Sequence, residues 1–240
     1  KDGAAITLRL MFDGGSTQDP VGKEGLATLM AGLFDEGAGD LDSDAFQSKL
    51  DDAGAEMRFS ARQDTISGSM RMLAEQRREA FDLLALAVNQ PRFDAAPVER
   101  IKAQLVSSVA SRSRDPDQVA QVRWSEAIFP DHPYARQDDG TELSLNGITV
   151  DDLRAAHANM FARSNLKVSV VGAIDAATLK QELDRLFGAL PQDPKLAPVS
   201  KVEPRLAQQI EVDYDLPQTS IRLAFPGIER DDPQSIAAYL

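Results

Sequence analysis

Cysteine is absent from this 240-residue chain, and histidine, tryptophan and long apolar runs are scarce. The lack of cysteine excludes disulfides and thiolate metal ligands, and it is compatible with a reducing or an oxidising compartment. Only His132 and His157 could supply an imidazole. The longest apolar run covers residues 83–88, far below the roughly 20 residues that a membrane-spanning helix needs. We therefore expect no membrane span.

A basic excess is also missing. The chain has 26 Lys and Arg against 38 Asp and Glu, so its formal net charge is −12. Binding to phosphate backbones needs a basic stripe, which argues against nucleic acid as a partner. The pair Gly14-Gly15 lacks the spacing of a nucleotide-binding loop. The remaining composition, 42% hydrophobic and 27% charged, is ordinary for a globular protein.

The hydrophobic periodicity predicts an α/β (α+β sandwich) fold in which a mixed, largely antiparallel sheet is covered by helices on one face. Strands are expected at 5–12, 56–61, 65–73 and 166–171. Helices are expected at 20–36, 43–52, 75–89, 97–113, 116–128, 150–161 and 176–187. The first strand starts almost at Lys1, so the natural N-terminus, with any signal peptide, is expected to lie upstream.

A repeat suggests how the chain is divided into domains. Residues 221–227 match residues 8–14 without gaps, and Asp232-Pro233 matches Asp19-Pro20 in the same register. The segment between the copies is rich in proline and has no periodicity. We therefore predict a first domain at 1–190, a linker at 191–206 and the truncated start of a second, similar domain at 207–240.

The tail after the linker has two strand-like runs, at 209–213 and 220–225. Some thirty residues cannot bury a core of their own, and an isolated hairpin is marginal in water. We therefore expect these runs to be ordered only by adding strands to a sheet edge, of the first domain or of a neighbouring molecule.

The segment 25–37, which reads GLATLMAGLFDEG, resembles the inverted zinc-binding helix of the pitrilysin/insulinase family. That family has G-x-A-H-x-x-E-H followed by apolar residues and a glycine. Two His on one helix face bind zinc there, and the Glu activates the metal-bound water. In this chain the three places hold Thr28, Ala31 and Gly32. The resemblance thus implies a site without its histidine ligands and without its general base.

The resemblance extends over essentially the whole chain. Further motifs of the family recur in order: FDGGS at 12–16, KEGLA at 23–27, Phe93, PVER at 97–100, DP at 115–116, HPY at 132–134, GT at 140–141 and LKVSVVG at 166–172. The family's third ligand is a Glu seven residues beyond a Glu-Arg pair that resembles Glu99-Arg100. That count ends on Val106, and no Glu occurs anywhere at 100–125.

The resemblance implies a non-catalytic subunit of a bacterial pitrilysin/insulinase-type peptidase. Such a subunit closes around a peptide chamber with an active, zinc-bearing homologue, or forms a homodimer, and it resides in the periplasm. Its own zinc is expected to be absent, and the Arg and Tyr that bind substrate in the second domain would fall beyond Leu240. Two alternatives are a structural or assembly subunit, like the respiratory-complex core proteins of this family, and a hydrolase with an unrelated carboxylate site.

The remaining polar and aromatic residues have simpler interpretations. We expect His132 in a turn, His157 on a helix surface and Trp124 in the core. Adjacent carboxylates are expected to be helix-end and loop charges: Asp51-Asp52, Asp138-Asp139 and Asp151-Asp152. A catalytic carboxylate pair would have to face one cleft, which adjacency does not show.

Overall fold

Four antiparallel strands form one sheet in the computed structural model, which describes residues 4–215, 217–229 and 232–239. The strands are β1 (Ala5–Asp13), β2 (Glu56–Ala61), β3 (Thr65–Leu73) and β4 (Leu166–Gly172). Their order across the sheet is β2-β3-β1-β4. Leu8 on β1 faces Met70 on β3 and Val170 on β4, which fixes the register. The strand predictions are confirmed to within one residue.

β1 and β3 alternate between buried and accessible side chains, and β4 alternates between partly buried and exposed ones, as expected for a sheet covered on one face. On β1 the side chains of Ile6, Leu8, Leu10 and Phe12 are buried, whereas Arg9 is exposed. The buried side chains face the helical layer, and the polar side chains form the opposite face of the sheet. The predicted α/β architecture is therefore confirmed.

The helices supply the rest of the core. They are α1 (Leu26–Ala31), α2 (Ser43–Asp52), α3 (Arg77–Asn89), α4 (Ala95–Arg112), α5 (Pro116–Ile128), α6 (Glu142–Gly147), α7 (Val150–Met160), α8 (Ala176–Phe187) and α9 (Ser235–Tyr239). None of those within the described residues is long and apolar enough to cross a membrane. At the centre of the core, the ring of Phe34 lies 4.5 Å from that of Phe59 and 5.2 Å from that of Phe161.

Several helices begin where a side chain accepts backbone N–H bonds. Asp42 accepts from Ala45 N ahead of α2, and Asp175 accepts from Thr178 N ahead of α8. Thr141 and Thr149 form reciprocal capping boxes ahead of α6 and α7. These short polar caps satisfy amide groups that have no partner inside the helix.

The helix expected at 20–36 is much shorter in the structure. Gly25 has φ = 92°, a left-handed conformation outside the helix, and α1 ends before Gly32. The residues before and after α1 form turns. The short helix α6 was not expected at all.

The tail does not add strands to the sheet of the first domain, so that expectation is wrong. Pairing with a neighbouring molecule stays a prediction. The structure assigns no strand to residues 209–213 or 220–225, and α9 is the one regular element that it describes there. The alternating side chains of Ile221, Leu223 and Phe225 are each more than three-quarters exposed. Their counterparts on β1 are buried because helices cover them, and the tail has no such layer. Positions 1–3, 216, 230, 231 and 240 of the expected domains lie outside the described residues.

Candidate functional site

The carboxylate of Asp19 fixes the start of α1. Its two oxygens accept hydrogen bonds from Gly25 N at 2.9 Å and from Ala27 N at 3.0 Å. The side chain is buried, with 3% of the residue exposed. Burial raises the pKa of Asp19 to about 7, although both N–H donors and the charge of Arg136 act in the opposite direction. Burial therefore favours the neutral form of Asp19, whereas the two N–H donors and Arg136 favour its carboxylate.

Two backbone segments meet at this end of α1. A Cβ on Gly25 would lie 2.7 Å from the carbonyl oxygen of Asp139. A Cβ on Gly140 would lie 2.1 Å from that of Glu24, and both glycines have positive φ. Only glycine allows this approach. The loop before α1 is thus held against the segment that contains Asp138 and Asp139.

Arg136 ties the same region together from the other side. Its guanidinium donates to the carbonyl oxygen of Asp19 at 2.7 Å and to that of Thr17 at 3.3 Å. The Ser16 hydroxyl donates to the Asp138 carboxylate at 2.8 Å. Burial raises the pKa of Asp138 above its ordinary value, against the hydrogen bond from Ser16. The N-terminal end of α1 is therefore surrounded by polar contacts.

Of the four positions singled out from the sequence, Thr28 and Ala31 lie on α1, Gly32 directly follows it, and Val106 lies on α4, which contacts α1. The Thr28 hydroxyl donates to the Asp138 carbonyl oxygen at 2.8 Å, and Ala31 is buried. A Cβ on Gly32 would lie 3.2 Å from Cγ2 of Ile101 on α4. Val106 is half-buried on α4 and packs against the core. The structure thus joins these positions by packing and by one hydrogen bond.

These residues do not fit a zinc ion. Alanine, glycine and valine have no side-chain donor atom, and the one hydroxyl in the set is bonded to Asp138. A catalytic zinc site needs three protein ligands. Among the residues that the structure describes, no group of three or more His, Cys, Asp and Glu could hold a metal ion.

A cavity of about 390 Å³ lies beside this region, between α4, α5 and residues 134–139. The carboxylate of Asp139, on its wall, pairs with Arg112 at the end of α4. Tyr134 donates its hydroxyl hydrogen to the carboxylate of Asp64 at 2.9 Å. Glutamine and serine side chains complete a polar lining: Gln63, Ser113, Gln118, Gln121, Ser125 and Gln137. Such a wall can exchange hydrogen bonds with a ligand, but it contains no nucleophile with an adjacent base.

The two histidines make structural hydrogen bonds. His132 accepts from Tyr134 N through Nδ1, so Nε2 donates to the carbonyl oxygen of Ser200 at 2.9 Å. This agrees with the turn predicted from the sequence. His157 was expected on a helix surface, which is wrong. Its Nε2 donates to the Val88 carbonyl oxygen at 2.8 Å, its ring stacks on Phe161 at 4.8 Å, and burial lowers its pKa.

Two further expectations have clear outcomes. Trp124 is half-buried on α5 and does not belong to the core, contrary to expectation, because α5 contacts the body of the protein only in part. Asp151 and Asp152 do lie at the start of α7, as expected. Despite some burial, hydrogen bonds from Lys23 and from Thr149 lower the pKa of Asp152. Sequence reasoning missed Asp19 as a cap, since its bonds to residues six and eight positions away match no local capping motif.

The fold, together with an α1 whose side chains cannot bind a metal, is that of an inactive pitrilysin-type domain. Comparison with known proteins supports the same class. The model for "Insulinase (Peptidase family M16)" matches residues 1–141, and that for "Peptidase M16 inactive domain" matches residues 147–240. The chain belongs to peptidase family M16.

Three relatives illustrate this membership. "Non-peptidase homolog YmxG" of Helicobacter pylori is 25% identical over 77% of this chain and 43% of its own length. "Mitochondrial-processing peptidase subunit beta" of Saccharomyces cerevisiae is 20% identical over 98% of this chain and 52% of its own length. The crystal structure of a peptidase M16 inactive domain from Pseudomonas fluorescens has a TM-score of 0.78 at 29% identity, covering 84% of this chain and 49% of that one. The chain thus spans about half the length of the relatives that it matches.

Proposed function

We propose that this chain is part of a non-catalytic subunit of a bacterial M16 peptidase, which encloses a peptide together with an active, zinc-bearing homologue. The observation that carries the proposal is the content of the four positions discussed above. The Thr28 hydroxyl is bonded to Asp138, and a side chain at position 32 would meet Ile101, where a metal site would need free ligands. The helix therefore acts as a packing element of the subunit, and catalysis is supplied by the partner.

Two of the relatives support this assignment by their names. One is named a non-peptidase homologue, and another is named a subunit of a processing peptidase. The cavity of about 390 Å³ between α4, α5 and residues 134–139 offers a wall on which a peptide could be held. We further propose a division into a first domain at 1–190, a linker at 191–206 and a second domain from 207 onward, and a location in the periplasm.

Two other functions are the alternatives. A structural or assembly subunit needs the same fold and the same loss of ligands, but it binds a stable complex in place of a peptide. A hydrolase with an unrelated site would need two carboxylates that face one cleft. Asp138 and Asp64 lie near the cavity, but Ser16 and Tyr134 already hold them by hydrogen bonds.

Metal analysis tests whether the chain itself is catalytic. Dialysed protein should contain far less than one zinc per chain, and it should not cleave an unstructured peptide. His132→Ala and His157→Ala variants serve as controls, because any residual zinc that they remove is bound outside the four positions. One tightly bound zinc per chain, together with cleavage that stops on chelation, would contradict the proposal.

Co-purification tests the partner. Tagged protein isolated from its native host should bring down a homologue with an intact H-x-x-E-H motif, and the purified pair should cleave peptides faster than that homologue alone. Recovery of a large assembly without peptidase activity would favour the structural subunit. If the tagged protein instead recovers a second copy of this chain as its one partner, the complex is a homodimer and not a heterodimer.

A further inference from the structure

The proline-rich segment after the first domain is bonded to that domain along most of its length. Residues 191–205, which we call the strap, contain four of the 13 prolines of the chain: Pro191, Pro194, Pro198 and Pro204. Proline fixes φ and has no N–H, so a segment with this many prolines forms neither a helix nor a central strand. Proline also reduces the number of unfolded conformations, so docking costs less entropy. The strap is therefore suited to one extended path.

The first part of the strap is held beside the end of α7. The amide of Arg163 donates to the carbonyl oxygen of Pro191 at 2.9 Å. The amide of Lys195 donates in turn to the carbonyl oxygen of Asn159 at 2.8 Å. Between these backbone bonds and the next contact, the side chain of Leu196 packs against the core of the first domain. Polar and apolar contacts thus both attach this part of the strap.

Gln18 joins the middle of the strap to the loop before α1. Its Oε1 accepts a hydrogen bond from the amide of Ala197 at 2.7 Å, and its Nε2 donates to the carbonyl oxygen of Ala197 at 3.2 Å. One side-chain amide thus bonds both backbone groups of one residue, as a hydrogen-bonded partner does in an antiparallel sheet. The next residue along the chain is Asp19, whose carboxylate accepts the first amides of α1. The strap is therefore bonded to the loop that holds α1.

The last part of the strap ends against α5. After the hydrogen bond from His132 described above, the amide of Arg205 donates to the carbonyl oxygen of Ile128 at 2.9 Å, and Ile128 is the last residue of α5. In the tail beyond the strap, the guanidinium of Arg222 donates to the side chain of Gln121 on the same helix. The chain therefore leaves the strap next to α5.

We infer that the strap contains no hinge and that it fixes the point at which the second domain begins, at the C-terminal end of α5. A free linker of this length would have an r.m.s. end-to-end distance of about 20 Å and would let the following residues range over a similar distance. A docked strap removes that freedom, so the start of the second domain and the loop that holds α1 keep one relative position. What the strap positions depends on the proposed division into domains, whereas its docking does not depend on the proposed role in a peptidase.

Distances between two spin labels test whether the strap is docked in solution. The chain has no cysteine, so Gln104→Cys on α4 and Gln208→Cys just beyond the strap provide two unique labelling sites. Double electron–electron resonance on the labelled 240-residue chain should give one narrow distance distribution. Gln18→Ala and Leu196→Ser should each widen it about twofold or more, because each removes an attachment of the strap. A distribution of about 20 Å in width without these substitutions would mean that the strap is a free linker.

Gln181→Ala is the matched control, since Gln181 is an exposed glutamine on α8. It should leave the distance distribution unchanged, and circular dichroism would show that all variants are folded. Hydrogen exchange gives a second measurement: Gln18→Ala should speed exchange of the Ala197 amide about fivefold to a hundredfold, the effect of losing two neutral hydrogen bonds. Equal widths in all variants, or unchanged exchange at Ala197, would overturn the inference. Zinc content and the co-purified partner test the proposed function separately.

Discussion

The buried carboxylate of Asp19 gives a quantitative test of how the start of α1 is stabilised. In the folded protein its pKa is raised from 3.8 to about 7 by burial. A group whose folded pKa lies above its unfolded pKa contributes most to stability below the unfolded value, and this contribution is lost as pH rises through the folded value. Stability from Asp19 should therefore fall between about pH 4 and pH 7.

The size of the effect follows from the two pKa values. Between them the folded state binds one proton more than the unfolded state, so the unfolding free energy falls by about 1.4 kcal/mol per pH unit. Over the whole interval the loss is about 4 kcal/mol, which is an upper value because local relaxation reduces the penalty of burial. Asp19→Asn removes the titration and leaves one buried N–H without an acceptor, which costs about 1–3 kcal/mol.

The assay is urea unfolding of the wild type and of Asp19→Asn at half-unit steps from pH 4.5 to pH 8. The difference between the two curves cancels the other titrating groups. It should favour the wild type at pH 5 and shrink or reverse by pH 8. Asp152→Asn is the control that should stay flat over this range, because the lowered pKa of Asp152 gives stability that is lost only as pH falls below the ordinary value of 3.8. An Asp19 difference that is flat, or that grows with pH, would mean that the N–H donors outweigh burial.

Further substitutions test the packing around α1 and the core beside it. Phe34→Ala should cost about 3–5 kcal/mol in chemical unfolding, whereas Phe225→Ala, at an exposed position, should change stability by about 0.5 kcal/mol or less. Gly32→His should destabilise by about 1–3 kcal/mol through its contact with Ile101, and combination with Ile101→Ala should recover part of that loss; additive costs would contradict the contact. For His157→Gln, the stability advantage of the wild type should hold above pH 6.5 and decline toward pH 5, because burial lowers the pKa of the imidazole; a pH-independent difference would contradict this.

The elements that the sequence predicts well are those with a local signal. The strands β2 and β3 coincide with their predicted bounds, because apolar residues alternate along them and a tight turn separates them. The helix α6 was missed although Thr141 and Ser144 form a capping box, since six residues are too few to show periodicity. The length of α1 was overestimated because the helical spacing of apolar residues continues beyond Gly32, whereas the helical backbone ends at Ala31.

The candidate site was predictable in its residue types and not in its contacts. Thr28, Ala31 and Gly32 could be located by counting along one motif. Nothing local to them indicates that Asp138 lies within a hydrogen bond of Thr28, since that contact joins residues 110 positions apart. The environment of His157 was misjudged for a related reason. Its burial depends on Phe34 and Phe93, which come from distant parts of the chain.

The small space between Gly32 and Ile101 also bears on how this helix can change over generations. A histidine that arose at position 32 would overlap Ile101 and would gain no metal, since positions 28, 31 and 106 would still offer no working set of ligands. Selection would meet only the lost stability of such a first step, and the same holds for a glutamate at buried Ala31. The steps at positions 31 and 32 are therefore uphill. The packing around this helix thus makes loss of the metal site difficult to reverse one substitution at a time.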